Sequence, residues 1–349
     1  MKIQILTFLA VLLLCVSCHN EEDPIPIETA SYDVYLGGVD TFKACYWKNG
    51  QQVFVQDGEN IMGTEVIVDQ NDVYLFGTNI KQINPEPAWY FWKNGVKHNV
   101  AQYLNAGNDS HFTIGGGITV HNGDIYFSGT ATNPSSTSPQ DKYQYCYWKN
   151  GVKTVLETYG DNNPIMMGGG LKIINNEVYV VARKNLNYDP VPTWDLGFYK
   201  NGIFHTLANT NELIALNMVN DPSNASQAYL LTRKTTGTNI NAVKNITSGS
   251  DLQVPANIIQ SGVSQLYFEG SDQYYVGKDF YYKNNTLISM NNADGFNTIG
   301  HFAAKDQNIY TTRLNSSSLS VKFYINDVEI QSLPDISKSC FNSIFVVKN

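Results

Sequence analysis

Acidic side chains recur along the whole chain, and they are the first candidates for chemistry. The set comprises Asp57 with Glu59, Asp109, Asp161, Glu212, Asp294 and Asp335. Arranged round a common axis, such carboxylates could hold a divalent cation such as calcium or act as an acid and base pair. Aspartate is also a favoured turn residue, so a structural role is the alternative. No Asp-x-Asp-x-Asp-Gly calcium loop accompanies them, and no other cofactor is expected.

Aromatic side chains gather in or beside three long polar segments, 78–88, 130–145 and 183–194, and they are candidates for ligand contact. Aromatic rings beside Asn and Asp suit sugars, whose apolar faces stack while their hydroxyls form hydrogen bonds. Trp89, Tyr188 and Trp194 are the preferred contacts, and the alternative is that these rings pad loops or begin strands. The full candidate set is Trp89, Tyr90, Tyr143, Tyr145, Tyr188 and Trp194.

Other patterns that could support catalysis are weak. The histidines have no metal-ligand spacing, although His111 and His301 could face a central channel. No Gly-x-Ser-x-Gly nucleophile motif occurs, and no helix pattern follows the glycine triplets at 115–117 and 168–170 to bind phosphate. The net charge of −8, without a Lys/Arg stripe, excludes nucleic acid as a partner. The sequence therefore contains no persuasive catalytic set.

Two short motifs alternate along the chain and define the elements that must position these residues. The first is Tyr46-Trp47-Lys48-Asn49-Gly50, which recurs at 91–95, 147–151 and 198–202, and more weakly at 243–245, 281–285 and 323–327. The copy that ends at Asn245 is the least secure. The second is Asp-Val-Tyr-Leu or a variant, at 33–36, 72–75, 124–127 and 177–180, with fainter copies around Tyr229, Tyr274 and Tyr310. Seven alternating copies of each motif indicate an internal repeat.

Each repeat predicts four short strands. An aromatic strand that ends in Asn-Gly enters a type I′ hairpin, because both turn positions require positive φ. A short apolar strand follows, then a Gly-rich strand such as 115–120 or 168–174, and then the strand with the Tyr motif. The mean spacing of about 46 residues is the size of one propeller blade.

The placement of Gly, Tyr and Trp-Lys-Asn-Gly over residues 31–349 resembles the β-propeller superfamily. This resemblance implies an all-β, seven-bladed ring, with six or eight blades left open, and it implies no particular function. The chain enters without an innermost first strand and leaves with the apolar segment 341–347. We therefore predict that the C-terminal strand completes the first blade and removes the open sheet edges.

Such a ring places the tight turns on one face and the long connections on the other. The candidate aromatic and acidic residues both fall on the long-connection side, where binding residues tend to collect on a rigid scaffold.

The N-terminus reads as an export signal. Lys2 precedes an apolar run that is too short to span a bilayer, and Ser17 stands directly before Cys18. This pattern resembles a bacterial lipobox, and the acidic residues 21–23 resemble the surface-export signal of Bacteroidetes lipoproteins. The resemblance implies a signal peptide (1–17), a lipidated tether (18–30) and a single propeller domain (31–349), held at the outer membrane and exposed at the cell surface. Cys45, Cys146 and Cys340 are predicted to be small buried hydrophobes.

Three functions remain open from the sequence. The leading one is a non-catalytic envelope lipoprotein that binds a ligand, with a glycan best suited to the aromatics, on the long-connection face. The second is a carbohydrate-active hydrolase or lyase that uses two of the acidic residues. The third is an interaction scaffold for another envelope protein.

Overall fold

The computed structural model describes residues 32–80, 88–107, 109–187, 191–221, 223–224, 226–291 and 293–349. Over these residues, seven antiparallel sheets follow one another round a ring, which confirms the predicted seven-bladed β-propeller. The predicted signal peptide, Cys18, the tether and Tyr188 lie outside the described residues.

The blades are numbered here in chain order. Blade 1 contains β1 (Tyr32–Asp40), β2 (Lys43–Lys48), β3 (Gln51–Glu59) and β29 (Cys340–Lys348). Blade 2 contains β4 (Ile61–Asp69), β5 (Asp72–Asn79), β6 (Trp89–Lys93) and β7 (Val96–Asn99). Blade 3 contains β8 (Thr113–Ile114), β9 (Thr119–His121), β10 (Asp124–Thr132), β11 (Tyr143–Lys149) and β12 (Val152–Tyr159).

Blade 4 contains β13 (Met166–Ile174), β14 (Glu177–Asn187), β15 (Thr193–Lys200) and β16 (Ile203–Thr210). Blade 5 contains β17 (Leu213–Asn220), β18 (Ala228–Lys234), β19 (Ile240–Asn245) and β20 (Asp251–Leu252). Blade 6 contains β21 (Gln265–Glu269), β22 (Asp272–Val276), β23 (Phe280–Lys283) and β24 (Thr286–Ser289). Blade 7 contains β25 (Thr298–Lys305), β26 (Asn308–Asn315), β27 (Ser320–Ile325) and β28 (Val328–Leu333).

Two helices of four residues each, α1 (Val100–Tyr103) and α2 (Ala256–Ile259), interrupt the connections between blades. Within the part of the chain that the structure describes, no helix has the length and apolar character needed to cross a membrane.

The two sequence motifs occupy the second and third strands of the blades, as the repeat predicts. Asn49 and Gly50 both have positive φ, at 50° and 80°, and so do the Asn-Gly pairs of blades 2, 3 and 4. This is the backbone that a type I′ hairpin requires, so the predicted turn is confirmed.

The ring closes through the C-terminal strand. β29 pairs antiparallel with β1, from Tyr32 opposite Lys348 to Val39 opposite Cys340, and becomes the innermost strand of blade 1. Phe341 is buried and packs edge-on against Trp47, with 4.8 Å between ring centroids. The predicted closure is therefore confirmed.

The core lies between neighbouring blades rather than inside any one of them. The tryptophans of the first motif, Trp47, Trp92 and Trp148, are at most 2% exposed, and each belongs to a different inter-blade cluster. Cys45 and Cys146 are buried and Cys340 is partly buried, and all three have free thiols.

Two blades depart from the predicted regularity. The prediction of one continuous strand over 115–120 is wrong. The strand is interrupted between β8 and β9, where Gly116 has a φ of 94°. In blade 5, the outer strand β20 has only two residues, since Asn245 begins an Asx turn onto Thr247 and Ser248 instead of a tight hairpin.

Candidate functional site

The repeated motifs build a hydrogen-bonded unit on the tight-turn face, which we call the turn clip. In blade 3, Lys149 Nζ lies 2.7 Å from Asp124 Oδ2, and Asn150 Nδ2 donates to Asp124 Oδ1 at 2.6 Å. Asn150 Oδ1 accepts from the Ile125 N–H at 2.8 Å. The carboxylate, Lys and Asn contacts recur in Asp33–Lys48–Asn49, Asp72–Lys93–Asn94, Glu177–Lys200–Asn201 and Asp272–Lys283–Asn284.

The turn clip is structural. Its hydrogen bonds hold the second strand to the turn after the third strand, and the lysine in blade 3 also lies 5.5 Å from the centre of the Tyr126 ring. The Lys149 ammonium and the Asn150 amide hold the pKa of Asp124 below its usual range. The most repeated chemistry of the sequence therefore stabilises the blades.

Apart from Asp57, the acidic residues predicted to ring the channel each contact a donor in their own blade or connection. Asp109 accepts hydrogen bonds from Thr132 and from the His111 N–H, and Asp161 pairs with Lys142. The others contact these partners: Glu59 with Lys43, Glu212 with Lys234, Asp294 with Lys322, and Asp335 with Ser337 and Lys338. Asp57 is exposed on the outer strand β3.

These positions correct the geometric basis of the acidic-ring hypothesis. None of the six sites contributes to the channel cavities, and the described residues contain no group of three His, Cys, Asp or Glu side chains that could hold a metal ion. Asp335 accepts hydrogen bonds within its own turn, and most of the other acids pair with a side chain on an adjoining strand, so local contacts account for them.

Two of the predicted aromatic contacts are core residues. Trp194 is 7% exposed and its indole N–H donates to the Leu213 carbonyl at 2.9 Å. Tyr145 is 1% exposed and its hydroxyl donates to the Val181 carbonyl at 3.0 Å. Both rings fill the space between blades, so neither presents a face to a ligand.

The other described aromatics are partly accessible and lie in three different places. Tyr90 lies between blades 1 and 2, with Lys97 Nζ 4.2 Å from the centre of its ring. Tyr143 stands on the long-connection face, where its hydroxyl donates to Asp161 at 2.9 Å and its ring lies 4.7 Å from His111. Trp89 alone of the set lines the central channel, with its ring edge-on to Phe112 at 5.9 Å.

The channel contains two chambers that meet at Glu65 and Ser343. We call the one beside the long connections the upper chamber; it has a volume of about 470 Å³. Its lining residues are Thr64, Glu65, Phe76, Thr78, Trp89, Gly116, Gly117, His301, Asn342 and Ser343. The lower chamber, beside the tight turns, is of similar volume and includes Lys172, Asn220 and Tyr267.

Side chains of the innermost strands fix the walls of the channel by bonding to the next blade. Asn342 Nδ2 donates to the Gly63 carbonyl at 2.7 Å, and Ser343 Oγ accepts from the Val66 N–H at 2.9 Å. Asn220 makes an equivalent bond from blade 5 to the Ile173 carbonyl at 3.0 Å. Because the scaffold holds both chambers open with its own hydrogen bonds, the site is pre-formed.

Glu65 lies at the waist between the chambers, deep in the channel but with part of its side chain open to the lumen. A Cβ atom at Gly117 would fall 1.8 Å from Glu65 Oε2, so the carboxylate rests directly on the glycine backbone. Burial raises the pKa of Glu65, while the charge of Lys172 and a hydrogen bond from the Ile118 N–H act in the opposite direction. A desolvated carboxylate in a cleft is a physical marker of a functional site.

His301 faces the same upper chamber, as its position near the start of an innermost strand suggested, whereas His111 does not. Burial lowers the pKa of His301 to about 4, so the imidazole is neutral near pH 7. The upper chamber therefore combines an aromatic ring, an amide, hydroxyls and a neutral imidazole with one carboxylate.

Sequence reasoning missed Glu65 and Lys172 because neither belongs to a repeated motif. The signal was present in the innermost strands, where Glu65 interrupts an otherwise uncharged stretch from 61 to 68 and Lys172 follows a glycine triplet. A charged residue in an innermost strand is therefore a candidate to face the channel.

No protein-family model and no curated protein matches the chain in sequence. Solved structures match it in fold. The acylaminoacyl peptidase of Pyrococcus horikoshii superposes with a TM-score of 0.50 and 11% identity, covering 86% of this chain and 50% of that one. The Dos1 propeller gives 0.44 at 11% identity over 87% and 84% of the two chains. An oligogalacturonate lyase in complex with manganese gives 0.40 at 7% identity over 68% of each.

At these identities the likeness shows the fold alone, and this chain spans half the length of the peptidase. The fold and the channel define the chain as a seven-bladed β-propeller with a polar central channel. One fold can host many functions, so the fold alone does not decide between binding and catalysis.

Proposed function

We propose that this propeller binds a small polyhydroxylated ligand of the sugar class in the upper chamber of its channel. The observation that carries the proposal is the convergence of Trp89, Glu65 and Asn342 on one cavity of about 470 Å³ beside the long connections. The proposed site lies on the same face of the ring that the sequence predicts for binding, but at the mouth of the channel rather than on the loops.

The chemistry of the chamber supports a sugar. Trp89 packs partly against the core between blades 2 and 3 and partly lines the chamber, so the accessible part of its ring is an apolar surface for a sugar. Thr64, Thr78 and His301 provide hydroxyl and imidazole groups around it, and Glu65 provides a strong acceptor. Hydrophobic walls with a few convergent polar groups are typical of small-molecule sites.

The count of carboxylates favours binding over hydrolysis. Glycoside hydrolysis uses two carboxylic acids that flank the scissile bond. Among the described residues that line the upper chamber, Glu65 is the only acid. A single carboxylate can orient a ligand and hold a hydroxyl, which supports a binding protein.

We further propose that the protein works as a lipid-anchored envelope protein that resembles Bacteroidetes surface lipoproteins. The support is the sequence alone: the apolar run after Lys2, Cys18 behind Ser17, and the acidic residues 21–23. Radiolabelled palmitate should be incorporated into the full chain in a lipoprotein-processing host and not into Cys18→Ser. Equal labelling of both chains would contradict the anchor.

The binding proposal is tested by calorimetry of the purified full chain against a panel of mono- and disaccharides. Trp89→Phe, which shortens the stacking face, should weaken binding about 10-fold, the usual scale of one good aromatic contact. Trp194→Phe is the matched control, because this buried tryptophan lies outside the chamber. Binding that Trp194→Phe weakens as much as Trp89→Phe would overturn the site, and no binding at all would favour the protein-scaffold hypothesis.

A further inference from the structure

The upper chamber contains a single acidic group. Of the described residues that line it, only Glu65 carries a carboxyl group, and His301 is held neutral by burial, which lowers its pKa to about 4. The remaining lining residues are hydroxyl, amide, glycine and aromatic side chains. A ligand that enters from the long-connection face therefore meets one carboxyl group at the bottom of an otherwise uncharged chamber.

Glu65 has no cationic partner at hydrogen-bond distance within the described part of the chain. The charge of Lys172 of blade 4 influences its pKa and both residues line the lower chamber, but no ion pair within 4.0 Å joins them among the described residues. The acids of the turn clips differ, because each touches a lysine. A carboxylate accepts several hydrogen bonds, so a group that has one backbone donor from Ile118 has acceptor capacity left for a ligand cation.

The aromatic rings of the chamber favour the same kind of ligand. Trp89 lines the cavity with Glu65, and an aromatic ring attracts cations as well as sugar rings, whereas Phe76 is buried in the core between blades 2 and 3. A metal ion fits less well, because the described residues offer no group of three acidic, His or Cys ligands. An organic ammonium needs only one carboxylate and an aromatic wall.

We infer that the ligand carries a protonated amine, and that the upper chamber selects an amino sugar by pairing its ammonium group with Glu65 while its ring lies against Trp89. This inference rests on the proposed function, because it names the subclass of sugar that the same chamber takes. Gly117 is part of this ammonium site, since any side chain there would displace the Glu65 carboxylate from its position.

The test compares three sugars on the full chain by calorimetry at a pH where the amine is protonated: glucosamine, N-acetylglucosamine and glucose. Glucosamine should bind about 10- to 100-fold more tightly than the two neutral sugars, as a charge-assisted hydrogen bond predicts. This comparison needs no variant, so it stands even where a substitution harms folding.

Glu65→Gln keeps the shape of the side chain and removes its charge, so it should bring the affinities of the three sugars to within about 3-fold of one another. Glu59→Gln is the matched control, because it removes an exposed acid that pairs with Lys43 outside the channel. It should keep the full preference for glucosamine.

The outcomes separate the two proposals. Neutral sugars that bind as tightly as glucosamine overturn this inference and leave the sugar site standing. Failure of all three sugars overturns the sugar site itself. A preference that survives in Glu65→Gln, or calcium chloride binding that depends on Glu65, overturns the assignment of Glu65 as the ammonium site.

Discussion

The tight-turn face and the channel of this propeller contain the same kinds of charged and polar side chain, but these side chains have different roles. On the turn face, five blades repeat an acid, a lysine and an asparagine in direct contact, and every charge is neutralised locally. In the channel, each innermost strand contributes different residues, and Glu65 and Lys172 lie in the channel without direct ion pairs among the described residues.

This difference separates stability from recognition. The turn clip closes the same hairpin in five of the seven blades, so it stabilises the fold rather than a single site. A site that must recognise one ligand cannot have seven-fold symmetry, since a small ligand does not have it either. The positions that break the repeat are therefore the ones to test for binding.

The largest expected effect compares two tryptophans on one strand, β6. Trp92 is fully buried and its indole N–H donates to the Gln56 carbonyl of blade 1 at 2.7 Å, whereas Trp89 lines the upper chamber. Trp92→Ala should cost about 3–5 kcal/mol of unfolding free energy, measured by urea titration. Trp89→Ala should cost clearly less and should abolish sugar binding. Equal losses of stability would break the comparison.

The second prediction concerns one turn clip. Asn150→Ala removes the bond to the Ile125 N–H and the bond to Asp124, at a residue whose φ is 48°. We expect the free energy of unfolding to fall by about 1–2 kcal/mol, because the variant loses a partly buried hydrogen bond and the tolerance of asparagine for positive φ.

Asn94→Ala in blade 2 should cost a similar amount, because the same contacts recur there. Urea unfolding of both variants measures this, and sugar binding by the folded protein should be unchanged. A clip variant that changes affinity without changing stability would show that the turn face takes part in recognition.

The repeat made the fold predictable. The Asn-Gly turns and the Tyr and Trp motifs predict the second, third and fourth strands of a blade directly, because periodicity and turn chemistry are local properties of the sequence. Closure was predictable for a similar reason, because 341–347 is an apolar strand and the first blade lacks one. Asn245, the least regular copy, lies in the blade whose outer strand is shortest.

The site was less predictable because it depends on which strands meet at the axis. Trp194 and Trp89 look alike in sequence, since both follow a Pro-rich segment, yet one packs between blades and the other opens on the channel. Strand phase and blade curvature decide between these outcomes, and neither is local. Glu65 acquires its role only through Gly117 and Ile118, which are more than fifty residues away in sequence.

The smallest expected effect on stability has the opposite sign. Burial raises the pKa of Glu65 in the folded chain, so the unfolded carboxyl ionises at a lower pH than the folded one. The ionised group therefore costs stability, and this cost develops as the pH rises from the unfolded pKa through the raised folded pKa. Glu65→Gln should raise the melting temperature near pH 7 by about 1–3 °C, although it removes the ammonium site.

The turn clips respond to pH in the other direction. The lysine and asparagine partners lower the pKa of Asp72 and Asp124, so the stability they contribute is present above the unfolded pKa and is lost as the pH falls through the lowered values.

Melting curves of wild type and Glu65→Gln from pH 4 to pH 8 should converge at the acidic end, where both lack a charge at position 65. A gap that stays constant across this range would mean that the effect of Glu65 is one of packing rather than charge.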